Sequence, residues 1–279
     1  MNFVSSSWSF LERESIKKID YSPDTFNDMF EHILIETNNI CTRACDFCYF
    51  WMQNKKNIYH ELSNDIVYNI IDQLENIDFA GRIWFFDINE PLTDPRIFDF
   101  INYAKKVKKA WKMMITNWDL LTQEKLDKCI EGWLNQLAIS VYDDKTRALQ
   151  NKLNIPKWSD FILEFNDYRN FALNDNRWWN IASMKYDGKY ANNACERIFK
   201  ILVIKASGNV VPCFWDFFED NIMGNIYNTS LSNIRFSKKF NEYRSHLACG
   251  KRDQYKICKN CNYPGSWGFF TIPQKKCQI

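Results

Sequence analysis

The chain has 279 residues and a mass of 33.4 kDa, enough for one large domain, or a large domain with a small appendage, around a substantial core. Hydrophobic residues at 46% and aromatics at 16% fit an ordered globular protein and exclude a disordered one. The 36 Lys and Arg nearly balance the 34 Asp and Glu, leaving +2, without the concentrated basic face that nucleic acid requires. No apolar run approaches the roughly 18 residues of a membrane span, and the start of the chain, which soon turns charged at Glu12, Arg13 and Glu14, lacks a signal-peptide pattern. With ten cysteines, the expected compartment is a reducing cytoplasm, where clustered thiols are more often metal ligands than disulfides.

Residues 1–30 are weakly patterned and read as an N-terminal extension. The run His32 to Thr37 reads as a strand, and Cys41, Cys45 and Cys48 follow it within eight residues. Such a loop can wrap three thiolates around a cubic iron–sulfur cluster and leave one iron open to a small molecule. A zinc site lacking its fourth ligand and a chance cluster of cysteines are the alternatives.

Leu62 to Ile77 carries Ile66, Ile70, Leu74 and Ile77 at helical spacing, with Ser63 or Asn64 as N-cap. Arg82 to Ile88 reads as a second strand ending in Asn89-Glu90-Pro91, and Pro95 opens a helix to Val107. The lysines at 105, 106, 108 and 109 read as a solvated helix tail. A third strand, Lys112 to Asn117, precedes a helix capped by Thr122 that stops near Gly132. Gln136 to Val141 is the fourth strand, Trp158 to Leu173 a helix, and Trp178 to Met184 the fifth strand. Such alternation predicts a parallel α/β sheet, open or wound into a barrel, whose chemistry sits at the C-terminal strand ends.

After about residue 186 the cysteine density rises. Phe199 to Lys205 and Asn209 to Cys213 read as a β-hairpin turned at Gly208, followed by a helix from Ser230 to Leu247. Cys195, Cys213, Cys258 and Cys261 make a second, four-thiolate set, which fits either structural zinc or an iron–sulfur cluster. Of the other cysteines, Cys129 reads as packing, Cys249 as loop filler or a reactive thiol, and Cys277 as a spare ligand.

The CxxxCxφC pattern, with Phe47 as the aromatic, closing the first strand of an α/β unit, resembles the signature of the radical S-adenosylmethionine (SAM) superfamily. The resemblance implies a partial (β/α)6 barrel over 31–185 and SAM chelated by the open iron. Reductive cleavage of SAM would then give a deoxyadenosyl radical that abstracts a substrate hydrogen. It further implies SAM contacts at Phe47, at Asn89, Glu90 and Pro91 (in place of Gly-Gly-Glu-Pro), at Thr116 and Asn117 (followed by Trp118 in place of glycine), and at Ser140. The stretch from Cys195 through Cys261 resembles the SPASM/Twitch extension in its shorter, single-cluster form. That assigns 186–279 to an auxiliary cluster, two 4Fe-4S clusters in all, and a layout similar to aminocyclitol dehydrogenases. The expected reaction is dehydrogenation of a small sugar-like substrate, or its epimerisation with Cys249 returning a hydrogen atom. The alternative is modification of a ribosomally made peptide. A flavodoxin or ferredoxin would supply electrons. Tyr142, Arg147 and Arg177 are candidates for holding an anionic or hydroxylated substrate.

Overall fold

The computed structural model describes residues 30–45, 48, 58–144, 152–156, 159–167 and 188–265. Its strands are β1 (His32–Ile35), β2 (Arg82–Trp84), β3 (Trp111–Thr116), β4 (Gln136–Val141), β5 (Ile162–Asp167), β6 (Ile201–Ile204), β7 (Asn209–Val211) and β8 (Gly224–Asn225). The helices are α1 (Asn64–Asn76), α2 (Ile97–Tyr103), α3 (Gln123–Glu131), α4 (Arg197–Lys200), α5 (Leu231–Arg235), α6 (Lys238–Ala248) and α7 (Lys256–Lys259). One sheet in the order β5-β4-β3-β2-β1-β6-β7-β8 carries them all. Strands β1 to β5 pair in parallel, β6 pairs in parallel with the free edge of β1, and β7 and β8 continue antiparallel.

Side chains alternate across the strands, so each face has its own register. Ile33, Ile35, Ile83, Phe85, Met114 and Leu137 pack under α1 to α3, in the main core with Ile70, Leu74 and Phe100. Leu34, Trp84, Phe86, Met113, Val203 and Phe214 form a smaller, aromatic-rich cluster on the opposite face. Near-continuous burial along β4 and β6 is the mark of strands covered on both sides.

Several expectations change. The helix expected over Trp158 to Leu173 is strand β5 where it is described. Leu163 and Phe165 fall two apart and pack on the main core, and Glu164 on the other face accepts a hydrogen bond from Gln136 Nε2 at 2.6 Å. The fifth strand expected at Trp178 to Met184 and the N-terminal extension up to residue 29 lie outside the described residues. The second strand stops at Trp84 instead of Ile88. The hairpin forms, but residues 197–200 are a helical turn, and β6 belongs to the main sheet through β1. The single helix expected from Ser230 to Leu247 is two. It breaks at Phe236, and Ser237 restarts it by accepting from the Phe240 amide at 3.2 Å.

The hairpin turn depends on glycine. Gly208 has φ +83°, its amide donates to Lys205 O at 2.8 Å, and a Cβ there would stand 2.4 Å from the Tyr227 ring. A Gly208→Ala variant is therefore expected to lose about 2 kcal/mol or more of stability, from left-handed strain plus displacement of Tyr227, read as a lower denaturation midpoint with an unchanged slope.

Candidate active site

The C-terminal ends of β1, β2 and β3 are tied into one unit by a buried carboxylate. Glu90 Oε1 accepts from the Thr116 hydroxyl at 2.8 Å and the Leu92 amide at 3.0 Å, and Oε2 accepts from the Asn117 amide at 2.7 Å. The Glu90 amide in turn donates to Ile40 O at 2.8 Å, beside the first cysteine. Asn38 completes the knot: its Oδ1 accepts from Asn89 Nδ2 at 3.3 Å, and its Nδ2 donates to Thr93 Oγ1 at 3.1 Å. Pro91 opens the one-turn helix Pro91–Thr93 that presents these groups. Burial pushes the Glu90 carboxyl above the ordinary carboxylate range, and the three donors counteract it.

Asn117 reaches the cysteine loop. Its Nδ2 donates to Thr42 Oγ1 at 3.0 Å and lies 3.6 Å from Cys41 Sγ. Arg43 forks onto Asp119, with Nε 2.9 Å from Oδ1, and its Nη1 lies 3.3 Å from Asp143; the guanidinium also sits over the Tyr142 ring. Cys41, Cys45 and Cys48 are each partly exposed, and the charges of Cys41 and Cys48 influence one another. The motif residues around Cys41, Asn89, Glu90 and Asn117 thus come together. Ser140 is buried on β4 in register with Asn166 of β5, and Phe47, Arg147 and Arg177 lie outside the described residues. Trp118 is buried in the main core, so its side chain serves packing although its backbone, at φ +79°, is left-handed.

A charged cluster that sequence reasoning missed joins the ends of β1, β2 and β6. Lys205, just past β6, makes an ion pair with Asp87, both side chains only 2% exposed. Glu36, one residue past β1, accepts from the Ala206 amide at 3.1 Å through Oε2, while its buried Oε1 has no partner. Burial, opposed by the Lys205 charge and aided by Asp87 and Glu219, pushes the Glu36 carboxyl up to about 7. The available signal was parity: Glu36 and Lys205 each stand two residues beyond an apolar side chain of the helix-free face, Leu34 and Val203.

The four other thiols lie near enough to act on one another electrostatically. Cys258 is influenced by the charges of Cys195, Cys213 and Cys261, and Cys213 by those of Cys195 and Cys261. Arg252, which sequence reasoning missed, holds their loops together. Its guanidinium donates to Asn193 O at 2.7 Å, Ala194 O at 3.1 Å and Tyr263 O at 2.7 Å. The Cys195 amide bonds Leu247 O at 3.0 Å, and Tyr243 Oη lies 3.3 Å from Cys258 Sγ. Burial pushes the thiols of Cys213, Cys258 and Cys261 up, so a metal must displace their protons for them to act as thiolates.

The remaining described cysteines fall elsewhere. Cys129 is buried on α3, its thiol pushed up to about 12 by burial, as packing requires. Cys249, the candidate hydrogen-atom donor, ends α6 and lines a groove of 790 Å³ with Asn241, Glu242, Ser245 and His246, off the helix side that buries Phe240, Tyr243 and Leu247. It is also disulfide-bonded, so it carries no S–H in this state.

Two outcomes follow from this geometry. Glu90→Gln places an amide N–H against at least one of the three donors and is expected to destabilise the fold by about 2–3 kcal/mol, measured by denaturant titration. Because the Glu36 carboxyl is raised from 4.5 to about 7, the folded chain holds more protons than the unfolded chain in that interval. Its contribution is present in full below pH 4.5 and is lost as pH rises through about 7. Glu36→Gln is expected to flatten that part of the stability–pH curve.

Comparison with known proteins agrees with this layout. A model of the radical SAM superfamily matches residues 35–164, and the model of SPASM, an iron-sulfur cluster-binding domain, matches residues 195–262. The S-adenosyl-L-methionine-dependent 2-deoxy-scyllo-inosamine dehydrogenase of Niallia circulans is 29% identical over 246 residues, covering 84% of this chain and 93% of that protein. The crystal structure of BtrN in complex with AdoMet and 2-DOIA is similar at a TM-score of 0.73 and 26% identity, over 85% of this chain and 94% of that one. Native anSMEcpe with bound AdoMet shares the fold at a TM-score of 0.52 and 14% identity, over 82% of this chain and 88% of that one. With the cysteine loop and the strand-end turns in place, the chain carries a radical SAM domain over residues 35–164 and a SPASM iron–sulfur cluster-binding domain over residues 195–262.

Proposed function

We propose that the protein is a SAM-dependent dehydrogenase that oxidises a secondary alcohol of an aminocyclitol to a ketone. The observation that carries this reading is the pair of cysteine sets, three thiols at the strand ends and four gathered behind them, in a chain similar to an aminocyclitol dehydrogenase over 84% of its length. Cys41, Cys45 and Cys48 would hold a 4Fe-4S cluster with one open iron, and Cys195, Cys213, Cys258 and Cys261 a second, closed one. When bound, clusters and SAM supply the redox chemistry, which balances as R2CHOH plus SAM giving R2CO, methionine, 5′-deoxyadenosine and a proton.

The chain's own groups orient this chemistry. Asn89, Glu90 and Pro91, with Thr116 and Asn117, form a turn assembly rigid enough to fix SAM, and Phe47 and Ser140 complete its contacts. The Arg43–Asp119 pair locks the cysteine loop against β3. Residues 31–185 would form the SAM barrel and 186–279 the auxiliary-cluster extension, with β6 lending its strand to the barrel sheet. Epimerisation needs an S–H on the substrate side, and the disulfide and position of Cys249 argue against that role. A flavodoxin- or ferredoxin-type donor in a reducing compartment would supply the priming electron. No helix among the described residues is long and apolar enough to cross a membrane.

Anaerobically reconstituted protein is expected to hold about eight irons and, with dithionite, SAM and 2-deoxy-scyllo-inosamine, to form ketone and 5′-deoxyadenosine in equal amounts. Cys258→Ala is expected to lose about half the iron and the ketone while still cleaving SAM. Zinc in place of iron, or deoxyadenosine without any oxidised aminocyclitol, overturns the reading.

A further inference from the structure

Arg197 stands two residues after Cys195, and its guanidinium is enclosed by three aromatic rings. The guanidinium carbon lies 3.6 Å from the centroid of Tyr263, 4.0 Å from Trp215 and 5.0 Å from Phe214. Each ring is itself tied to a thiol in sequence: Phe214 and Trp215 follow Cys213 directly, and Tyr263 is two residues past Cys261. The rings therefore come from the flanks of two of the four cysteines, and the caged guanidinium from the flank of a third.

Inside it, Nη1 is buried without a hydrogen-bond partner. Stacking on π-faces stabilises a cation, but it does not replace the hydrogen bonds that a buried guanidinium loses on leaving water. Nearby Glu196 accepts from the Tyr263 hydroxyl at 3.2 Å through Oε1, and its buried Oε2, which has no hydrogen-bond partner, pairs at 3.6 Å with Lys200. The cage instead sets the Arg197 charge among the residues that flank Cys195, Cys213 and Cys261. A buried cation with a spare N–H, caged by the neighbours of these cysteines, suits an anionic sulfur centre.

We propose that Arg197 is the redox-tuning residue of the auxiliary site, its Nη1–H donating to the sulfur shell of the cluster on the Cys213–Cys261 side. This rests on the auxiliary-cluster reading above. Hydrogen bonds to sulfur and nearby positive charge both stabilise the reduced, more negative cluster and raise its potential. A centre so tuned is a better acceptor for the second electron of an alcohol oxidation.

The test uses full-length chain with Cys41, Cys45 and Cys48 replaced by Ala, reconstituted anaerobically so that only the auxiliary cluster reports. EPR-monitored redox titration is expected to show Arg197→Met reduced at least tenfold less readily, ~59 mV lower for one electron, with Arg197→Lys in between. Iron content should match the parent. An unshifted potential at full iron loading overturns the proposal and leaves the cluster reading standing, whereas absence of iron in the parent removes the cluster itself. Should Arg197→Met fail to fold, 15N-arginine labelling of the parent decides. A 15N coupling to the reduced cluster, lost in Arg197→Lys, supports the assignment, and no coupling overturns it.

Discussion

A single buried carboxylate organises the front of this molecule. Glu90 takes three donors from two turns, and its own amide is held by the residue just before Cys41, so three strand ends form one rigid piece. A carboxylate this deeply buried is tolerated only when its lone pairs are filled, and here every filling donor belongs to a turn that borders the cysteine loop. The site's geometry and the fold's stability therefore draw on the same hydrogen bonds. Asn89 and Asn38, bridged by one amide contact, extend the network where the related motif has glycine.

The back of the molecule uses a different device for the same purpose. Buried arginines thread between loops that would otherwise be held by few apolar contacts. Arg252 gathers carbonyls from both sides of the four-thiol site, and Arg235 donates to Ile198 O at 3.1 Å and Phe199 O at 2.5 Å, fixing the end of α4 two residues beyond Arg197. Because a planar guanidinium offers five donors in fixed directions, it can join several chain segments at once. The loops carrying Cys195, Cys258 and Cys261 need this, since α4 and α7 are only one turn long.

Between front and back runs β6, which pairs in parallel with β1 on one side and antiparallel with β7 on the other. It links the strand that leads into the three-cysteine loop to the hairpin that delivers Cys213. The Lys205–Asp87 pair and Glu36 sit at this seam, so the charged cluster joins the ends of β1, β2 and β6. The segments that carry Cys41 and Cys213 thus leave one continuous sheet.

By itself the sequence determined the local features. The cysteine spacings, the Asn-Glu-Pro turn, the strands of β1, β3 and β4 and the capping of α3 by Thr122 all depend on neighbours within a few residues, and such patterns are visible in one dimension. Residues 162–167 were misjudged because Phe161, Ile162 and Phe165 satisfy helical spacing as readily as strand alternation, and only pairing with β4 decides between them. Ser237 could be read as a polar residue inside one helix until the cap at Phe240 showed two. Tertiary structure alone decided which side chains meet across long separations: Glu36 with Ala206, Arg252 with Asn193, Arg197 with Tyr263. These contacts rest on loop closure and burial, where the favourable energy comes from excluding water around groups far apart in the chain, and no local periodicity records it.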